Sequence, residues 1–470
     1  MLSFFRINDP YRLVFVFVLL LIFRLPFIIS GIPLSLPELN WMIVGEAMSS
    51  GKMLYRDIWE NMGPFSAIVY QIVHWLFGKS QLAYQLIAIL LVFIQALIFN
   101  RLLLINKAFN ENTYIPALIY AICMSLNFEF LTLSPALMSL TFVILSINNI
   151  FKRIDNFTRD ELFLNTGLYL GIATLFYFPS IVFLISTILS LVLFTSAIPR
   201  RVLLTVFGFA QMLSFAIIYY YWFDAGRELY FQFFWAPFGL DPNPYLGVKS
   251  LLLISIILII FFIVSLFKLY SRTYYVNYQV KFQSVMLFTL LIGMLSFFLV
   301  EKGSSMQLVV LIPAVAFFLS HLFLLIEKRM KAEIVFTLFL ILVFGYQHLA
   351  DRELKWIGQL VDYEALFVKE TAYDASTDER SLLVLGDDQA VYKNSSLATP
   401  YLNWKLAKMH FDKIDYYDVL VEVFENFEDD PPEVIIDLEE RIPELFEKLP
   451  TIADQYANIR EGVYLRTNTP

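Results

Sequence analysis

Long apolar runs separated by short polar loops repeat along the first three quarters of the chain. A helix needs roughly 18–20 mostly apolar residues to cross a bilayer. Runs near that length predict about 11 spans, near 13–30, 80–99, 113–128, 133–150, 163–178, 180–198, 202–222, 250–268, 283–300, 306–326 and 333–348. The run at 65–78 (FSAIVYQIVHWLFG) is too short to cross and is expected to lie at the interface or to extend the second span. The first run contains Arg24 and Pro26 and has no small-residue cleavage site, so it reads as a retained span.

After residue 350 the pattern changes. SLLVLG (381–386) and EVIIDL (433–438) read as strands and YANIREGVYLRT (456–467) as a closing strand, while NWKLAKMHF, YYDVLVEVFENF and IPELFEKL read as helices. Strands alternating with helices predict a small α/β sheet. The expected fold class is an all-α polytopic membrane protein with about 11 transmembrane helices and a small C-terminal α/β extracytoplasmic domain. Its expected boundaries are 1–350 for the transmembrane domain, with 31–79 as a first outer loop bearing amphipathic helices, and 351–470 for the soluble domain.

Composition agrees with this reading: 59% hydrophobic and 16% charged residues exclude an ordinary soluble domain. Charge then orients the spans. With the N-terminus inside, inner loops hold 15 Lys and Arg residues and outer loops 6, so the positive-inside rule places the N-terminus in the cytoplasm. An odd number of spans puts the C-terminus on the other side, which suits a periplasm-facing tail on a bacterial inner (plasma) membrane. Residues 351–470 contain 26 acidic and 12 basic residues, a charge of −14 against −8 for the whole chain, which leaves +6 for the membrane part. Membrane lipids are the expected surroundings, and no nucleic-acid partner is expected.

Several chemistries find little support. The only cysteine, Cys123, excludes a disulfide framework. His74, His321, His348 and His410 are scattered without metal-ligand spacing, so no metal site is expected. Apart from Arg24 and Glu129 the spans hold few charges, unlike a transport pathway.

The first outer loop stands out. Between Pro37 and Phe65 it gathers Glu38, Glu46, Asp57, Glu60, Lys52, Arg56 and two tryptophans. Pro37 can open a helix, because its missing N–H is not needed there. At helical spacing Leu39, Met42, Ile43 and Ala47 form an apolar side able to rest on a membrane, with Glu38 and Glu46 on one stripe. Gly51 is expected to end that helix. A solvated interfacial helix with a salt-bridged connector accounts for the same residues.

This loop resembles the first periplasmic loop of the C-superfamily of membrane glycosyltransferases, which includes the protein O-mannosyltransferases and the lipid A aminoarabinose transferases. The matching residues are Pro37-Glu38, Gly51, Leu54-Tyr55-Arg56-Asp57, Trp59-Glu60-Asn61 and Gly63-Pro64. A late segment, EKGSSMQLVVLIPAVAFFL from Glu301 to Leu319, resembles the family's late outer loop and following span.

The resemblance implies an enzyme that moves a sugar from a polyprenyl-phosphate carrier to an outer-face acceptor, with the lipid-linked donor as its one expected small-molecule partner and no certain cofactor. It implies Glu38 as general base, with Asp57 and Glu60 as supporting acids. Arg56, Arg227, Lys249 and Lys302 become candidates for binding the carrier phosphate. The chain departs from the family pattern in three places. It has one acid after the first span where a pair is usual. Met62 stands where a lysine is usual, and Ser304, Ser305, Met306 and Gln307 stand where a His/Tyr pair is usual. A second reading follows from these departures: a catalytically inactive glycosyltransferase-like scaffold with envelope protein partners, as in a secretion or motility complex. The aromatic segment from Tyr219 to Phe238 would dock such a partner or form an interfacial belt.

Overall fold

A computed structural model describes residues 1–155, 160–195, 199–271, 275–351, 361, 363–369, 371, 373 and 377–467. Arg159 and Arg272 of the charge count, and residues 196–198 of an expected span, lie outside the described residues. Among the described residues eight helices are long and apolar enough to cross a membrane: Arg12–Ser30, Gln81–Ile105, Pro135–Ile154, Pro199–Trp222, Val248–Tyr270, Asn277–Leu299, Ser305–Leu325 and Arg329–Gln347. At 1.5 Å per residue, the 25 residues of Gln81–Ile105 exceed the roughly 30 Å hydrocarbon core. The protein is a multi-pass membrane protein.

The remaining expected spans are shorter. Glu161–Phe176 and Phe178–Phe194 are apolar helices below that length. The run at 113–128 yields a helix of only 9 residues, Ile115–Cys123. The polar residues that follow explain the early stop: Asn127 folds its side chain back onto the Phe128 N–H and opens a 3-10 turn at Phe128–Phe130.

The chain divides into two compact units, one of Met1–Ile32, Gln81–Ala216 and Pro242–Ala365, the other of Pro33–Ser80, Ile217–Asp241 and Leu366–Pro470. In the first, Ser305–Leu325 is the central helix, with 89% of its apolar window buried against 17% for the peripheral Pro199–Trp222. Phe151 stacks on Phe282 with ring centroids 4.0 Å apart. The helices Glu161–Phe176 and Pro199–Trp222 approach backbone to backbone: a Cβ on Gly167 would lie 2.0 Å from the Thr205 carbonyl oxygen. Small residues permit this approach, the usual basis of helix association in lipid.

The second unit is built on a five-stranded sheet in the order β2-β1-β3-β5-β4. Its strands are β1 (Ser381–Leu385), β2 (Ser396–Leu397), β3 (Val434–Asp437), β4 (Tyr456–Arg460) and β5 (Val463–Arg466). β1 pairs in parallel with β2 and β3, while β3, β5 and β4 pair antiparallel. The single closing strand expected at 456–467 is instead a hairpin, because Gly462 turns the chain at φ +70. A side chain there would also meet the Asp437 carbonyl oxygen at 2.6 Å. Helices Trp404–Phe411 and Tyr417–Asp429 connect β2 to β3, and Leu406, Phe411, Val423 and Phe427 bury their apolar faces with Leu383, Leu385 and Ile435 of the sheet.

Trp59 completes that core. Its N–H donates to the Pro400 carbonyl at 2.6 Å and its carbonyl accepts from Asn403 N–H at 3.0 Å. Residues of the first loop therefore belong to the same compact unit as the C-terminal sheet. A second tie joins Val368 N–H to the Leu34 carbonyl at 2.9 Å.

Candidate functional site

The helix Leu36–Ser49 opens where Ser35 caps it: the Ser35 hydroxyl accepts from Glu38 N–H at 3.4 Å, and Pro37 takes an early position whose N–H the helix does not use. Glu38 falls in the first turn, where a carboxylate complements the helix dipole. It is 3% exposed. Leu39, Met42, Ile43 and Ala47 are enclosed by protein, and so are Trp41, Val44 and Gly45. The side expected to lie on a membrane is therefore packed inward. The partner is the helix Pro64–Phe77: Trp41 stacks on Tyr70 at 5.5 Å, and a Cβ on Gly45 would come within 2.6 Å of the Tyr70 carbonyl. The first helix ends as expected, with Gly51 at φ +100.

The following segment is held at every turn. Lys52 bridges the Leu397 carbonyl and the Asp430 carboxylate, and Glu46 pairs with Lys79 at 2.8 Å. The Asp57 carboxylate accepts from Met53 N–H at 2.8 Å and takes Arg56 in a forked pair at 2.8 and 3.0 Å. Tyr55 is fully buried at φ +74, and its hydroxyl donates to the Met62 carbonyl at 2.6 Å. Burial, with smaller contributions from Tyr220 and Glu60, keeps the Tyr55 phenol well above its ordinary value, so it stays a neutral donor.

Gln232 ties the two ends of this turn together. Its amide nitrogen donates to the Tyr55 carbonyl at 2.7 Å, and its amide oxygen accepts from Glu60 N–H at 3.0 Å. Glu60 is 4% exposed, and one of its carboxylate oxygens accepts from Asn61 N–H at 3.0 Å.

The four candidate cations divide between the units. Arg56 and Arg227 belong to the unit that holds Glu38, Asp57 and Glu60. Arg227 is exposed and acts on Glu422, whose carboxyl is held below its usual value first by a hydrogen bond from His410 and in smaller part by the Arg227 charge. Lys249 and Lys302 belong to the membrane-spanning unit. Lys249 is exposed in the first turn of Val248–Tyr270. Lys302 sits 6.0 Å from the Tyr245 ring, on a loop paired to residues 243–246 by Asn243 N–H to the Glu301 carbonyl at 2.8 Å and Leu246 N–H to the Gly303 carbonyl at 3.2 Å.

The same unit buries an acid and a guanidinium. Glu129 is 4% exposed and accepts from Ser305 N–H at 2.7 Å and from the Ser305 hydroxyl, which in turn accepts from the Asn127 amide. Arg24 is fully buried, and its Nη2 donates to the carbonyls of Met124 at 2.7 Å and Phe130 at 3.2 Å. The guanidinium is thus enclosed by protein rather than extended to the surface. Among the described residues no three His, Cys, Asp or Glu side chains gather as a metal site.

No known family profile matches the sequence, and no curated protein's sequence matches it significantly. Solved structures do match. ArnT from Cupriavidus metallidurans bound to undecaprenyl phosphate aligns over 97% of this chain and 96% of its own, at 12% identity and a TM-score of 0.53. The apo form of ArnT from the same organism aligns over 97% of both chains, at 12% identity and a TM-score of 0.54. The fold is therefore shared with ArnT along nearly the whole chain. The archaeal oligosaccharyltransferase AglB from Archaeoglobus fulgidus, in complex with an inhibitory peptide and a dolichol-phosphate, aligns less well, with 10% identity and a TM-score of 0.48 over 97% of this chain and 74% of that one.

Within this fold the charged loop is legible from residue types, but the groups that hold it are not. Gln232, the amide that organises the Tyr55 to Glu60 turn, lies in the aromatic run YFQFFW, where a lone amide is the one available signal. Asn127 and Ser305 gave no signal, since their pairing joins residues 178 positions apart.

Proposed function

We propose that the chain is an integral membrane glycosyltransferase that moves a sugar from a polyprenyl-phosphate carrier to an outer-face acceptor by direct displacement. The observation that carries the reading is Glu38: a carboxylate buried in the first turn of a capped helix, at the position that matches the family's first acid, on a fold shared with ArnT along nearly the whole chain. Glu38 takes the proton from the acceptor hydroxyl or amine as that group attacks the anomeric carbon. The bond from the anomeric carbon to the phosphate oxygen breaks, and the carrier leaves as the polyprenyl phosphate with the electron pair. Asp57 and Glu60 act as supporting acids. Arg56, Arg227, Lys249 and Lys302 are the candidates for stabilising the phosphate charge.

In this proposal residues 1–350 form the transmembrane domain of an inner-membrane protein, 31–79 its first outer loop and 351–470 its soluble periplasmic domain, with the N-terminus cytoplasmic. The test is transfer from undecaprenyl-phosphate-linked sugars by purified protein in nanodiscs. Replacing Glu38 by Gln should lower turnover on the order of 10²–10⁴-fold, the usual contribution of a positioned base. Unchanged turnover would refute the assignment.

A second reading, the inactive scaffold, draws support from the late loop. Ser305 is bonded to Glu129 and Asn127, and Ser304 N–H donates to the Gln307 side-chain oxygen at 2.6 Å, so these groups are engaged within the loop's own support. Stoichiometric partners on purification, with no transfer and no carrier bound, would favour it.

A further inference from the structure

We propose that Glu129 is a positioning residue that sets the Lys302 loop for an anionic lipid headgroup, here the carrier phosphate; the choice of headgroup rests on the glycosyltransferase reading above. The loop from Glu301 to Gln307 is held from two sides. On one, main-chain bonds from Asn243 and Leu246 bracket Lys302, ending on the carbonyls either side of it. On the other, Ser305 is fastened three residues further on, through both its N–H and its hydroxyl, to a single oxygen of Glu129, Oε2. Asn127 adds a third bond to the same hydroxyl.

Glu129 is itself fixed. Arg24 grips the carbonyls of Met124 and Phe130, and so pins the segment on which Asn127 and Glu129 stand. Arg24 thus holds the segment that carries Glu129, and Glu129 holds Ser305 of the loop that bears Lys302.

A carboxylate is a costly way to fill such a position. Taking an acid out of water is unfavourable unless its hydrogen bonds are made, and Glu129, 4% exposed, takes both of these bonds from Ser305. A serine or asparagine would cap the turn at Ser305 more cheaply. What the longer acid adds is reach across to a second segment and a two-point hold on Ser305, which fixes the register of the loop. Because both bonds end on one oxygen, a glutamine amide oxygen would keep them. An acid, a base or a ligand to a cation would not survive that change.

The test uses the full chain in nanodiscs, with undecaprenyl phosphate as the probe. The variants are Glu129→Ala, Glu129→Gln, Ser305→Ala and Lys302→Ala. Glu129→Ala should raise the Kd for undecaprenyl phosphate roughly tenfold, the equivalent of losing one buried hydrogen bond's worth of positioning. It should also speed hydrogen exchange at residues 301–307. Glu129→Gln should restore both, and Ser305→Ala should fall between. Adding Glu129→Ala to Lys302→Ala should cost less than the two changes taken separately, since both act through one lysine.

A Glu129→Gln variant as impaired as Glu129→Ala would overturn the proposal by showing that the charge itself acts. So would unchanged exchange at 301–307 in Glu129→Ala. If Lys302→Ala binds undecaprenyl phosphate as the parent does while exchange responds as described, the loop is positioned but the carrier reading fails. Thermal unfolding of each variant separates these outcomes from a general loss of structure, and Glu129→Gln and Ser305→Ala keep the test open if Glu129→Ala does not fold.

Discussion

Replacing Gln232 by leucine removes two hydrogen bonds from a site that water does not reach. Gln232 is 2% exposed, and its amide serves the Tyr55 carbonyl at 2.7 Å and Glu60 N–H at 3.0 Å. Leucine fills most of the volume, so the cavity contribution is small and the polar loss dominates. A buried main-chain group that loses its partner costs about 1–3 kcal/mol. The carbonyl, with a second lone pair, falls at the low end and the N–H higher, so the expected loss is about 2–4 kcal/mol. For a unit of this size each kcal/mol moves the midpoint by about 2–4 °C, which predicts a drop of roughly 4–16 °C. The assay is tryptophan-fluorescence unfolding in detergent, paired with hydrogen exchange at the Glu60 amide, which should become faster. Glutamate at 232 should be as damaging, because it would face the Tyr55 carbonyl with an acceptor. A leucine variant with a midpoint within 2 °C of the parent and an unchanged Glu60 amide would refute the idea that this amide organises the loop.

The membrane-spanning unit offers a matched pair of glycine tests. Gly167→Ala places a Cβ 2.0 Å from the Thr205 carbonyl and should cost about 1–3 kcal/mol, whereas Gly345→Ala has nothing within 4 Å and should be neutral or stabilising; equal midpoints for the two would refute the close helix contact. Glu422 supplies a pH test. Its folded value lies below the ordinary 4.5, first through the His410 hydrogen bond. Its contribution is therefore fully present above that ordinary value and is lost as pH falls through the folded one. Glu422→Gln should shrink the difference in melting temperature between pH 7 and pH 3, and an unchanged difference would count against the pair.

The parts of this fold that were legible in the sequence are those set by local pattern. Apolar length alone marks the long spans, and short continuous apolar runs mark β1 and β3. The glycine that splits the last strand was visible at 462, but only its left-handed backbone and its nearness to Asp437 show why the chain must turn there. The run at 113–128 gives a shorter helix than its length suggests, because hydropathy averages over Asn127 whereas the backbone responds to that side chain individually. In the first loop the helix, its proline start and its glycine stop followed from residue types. The enclosure of Leu39, Met42, Ile43 and Ala47 by protein did not, because an apolar stripe does not record whether lipid or protein covers it. Arg24 is the sharpest case. A guanidinium in a span predicts an acid or the interface as its partner, and it found two carbonyls left available where a helix ends early.

The bridge from Lys52 to Asp430 spans 378 residues of sequence. At a synthesis rate of about 5–20 residues per second, the lysine waits roughly 20–80 s for its partner to be made. Trp59 waits similarly for Pro400 and Asn403. During that interval the loop bearing Glu38 is already outside the ribosome without the sheet that completes its unit. A chain cut short before Pro400 would carry the apolar helices and still lack the partners that hold Lys52 and Trp59.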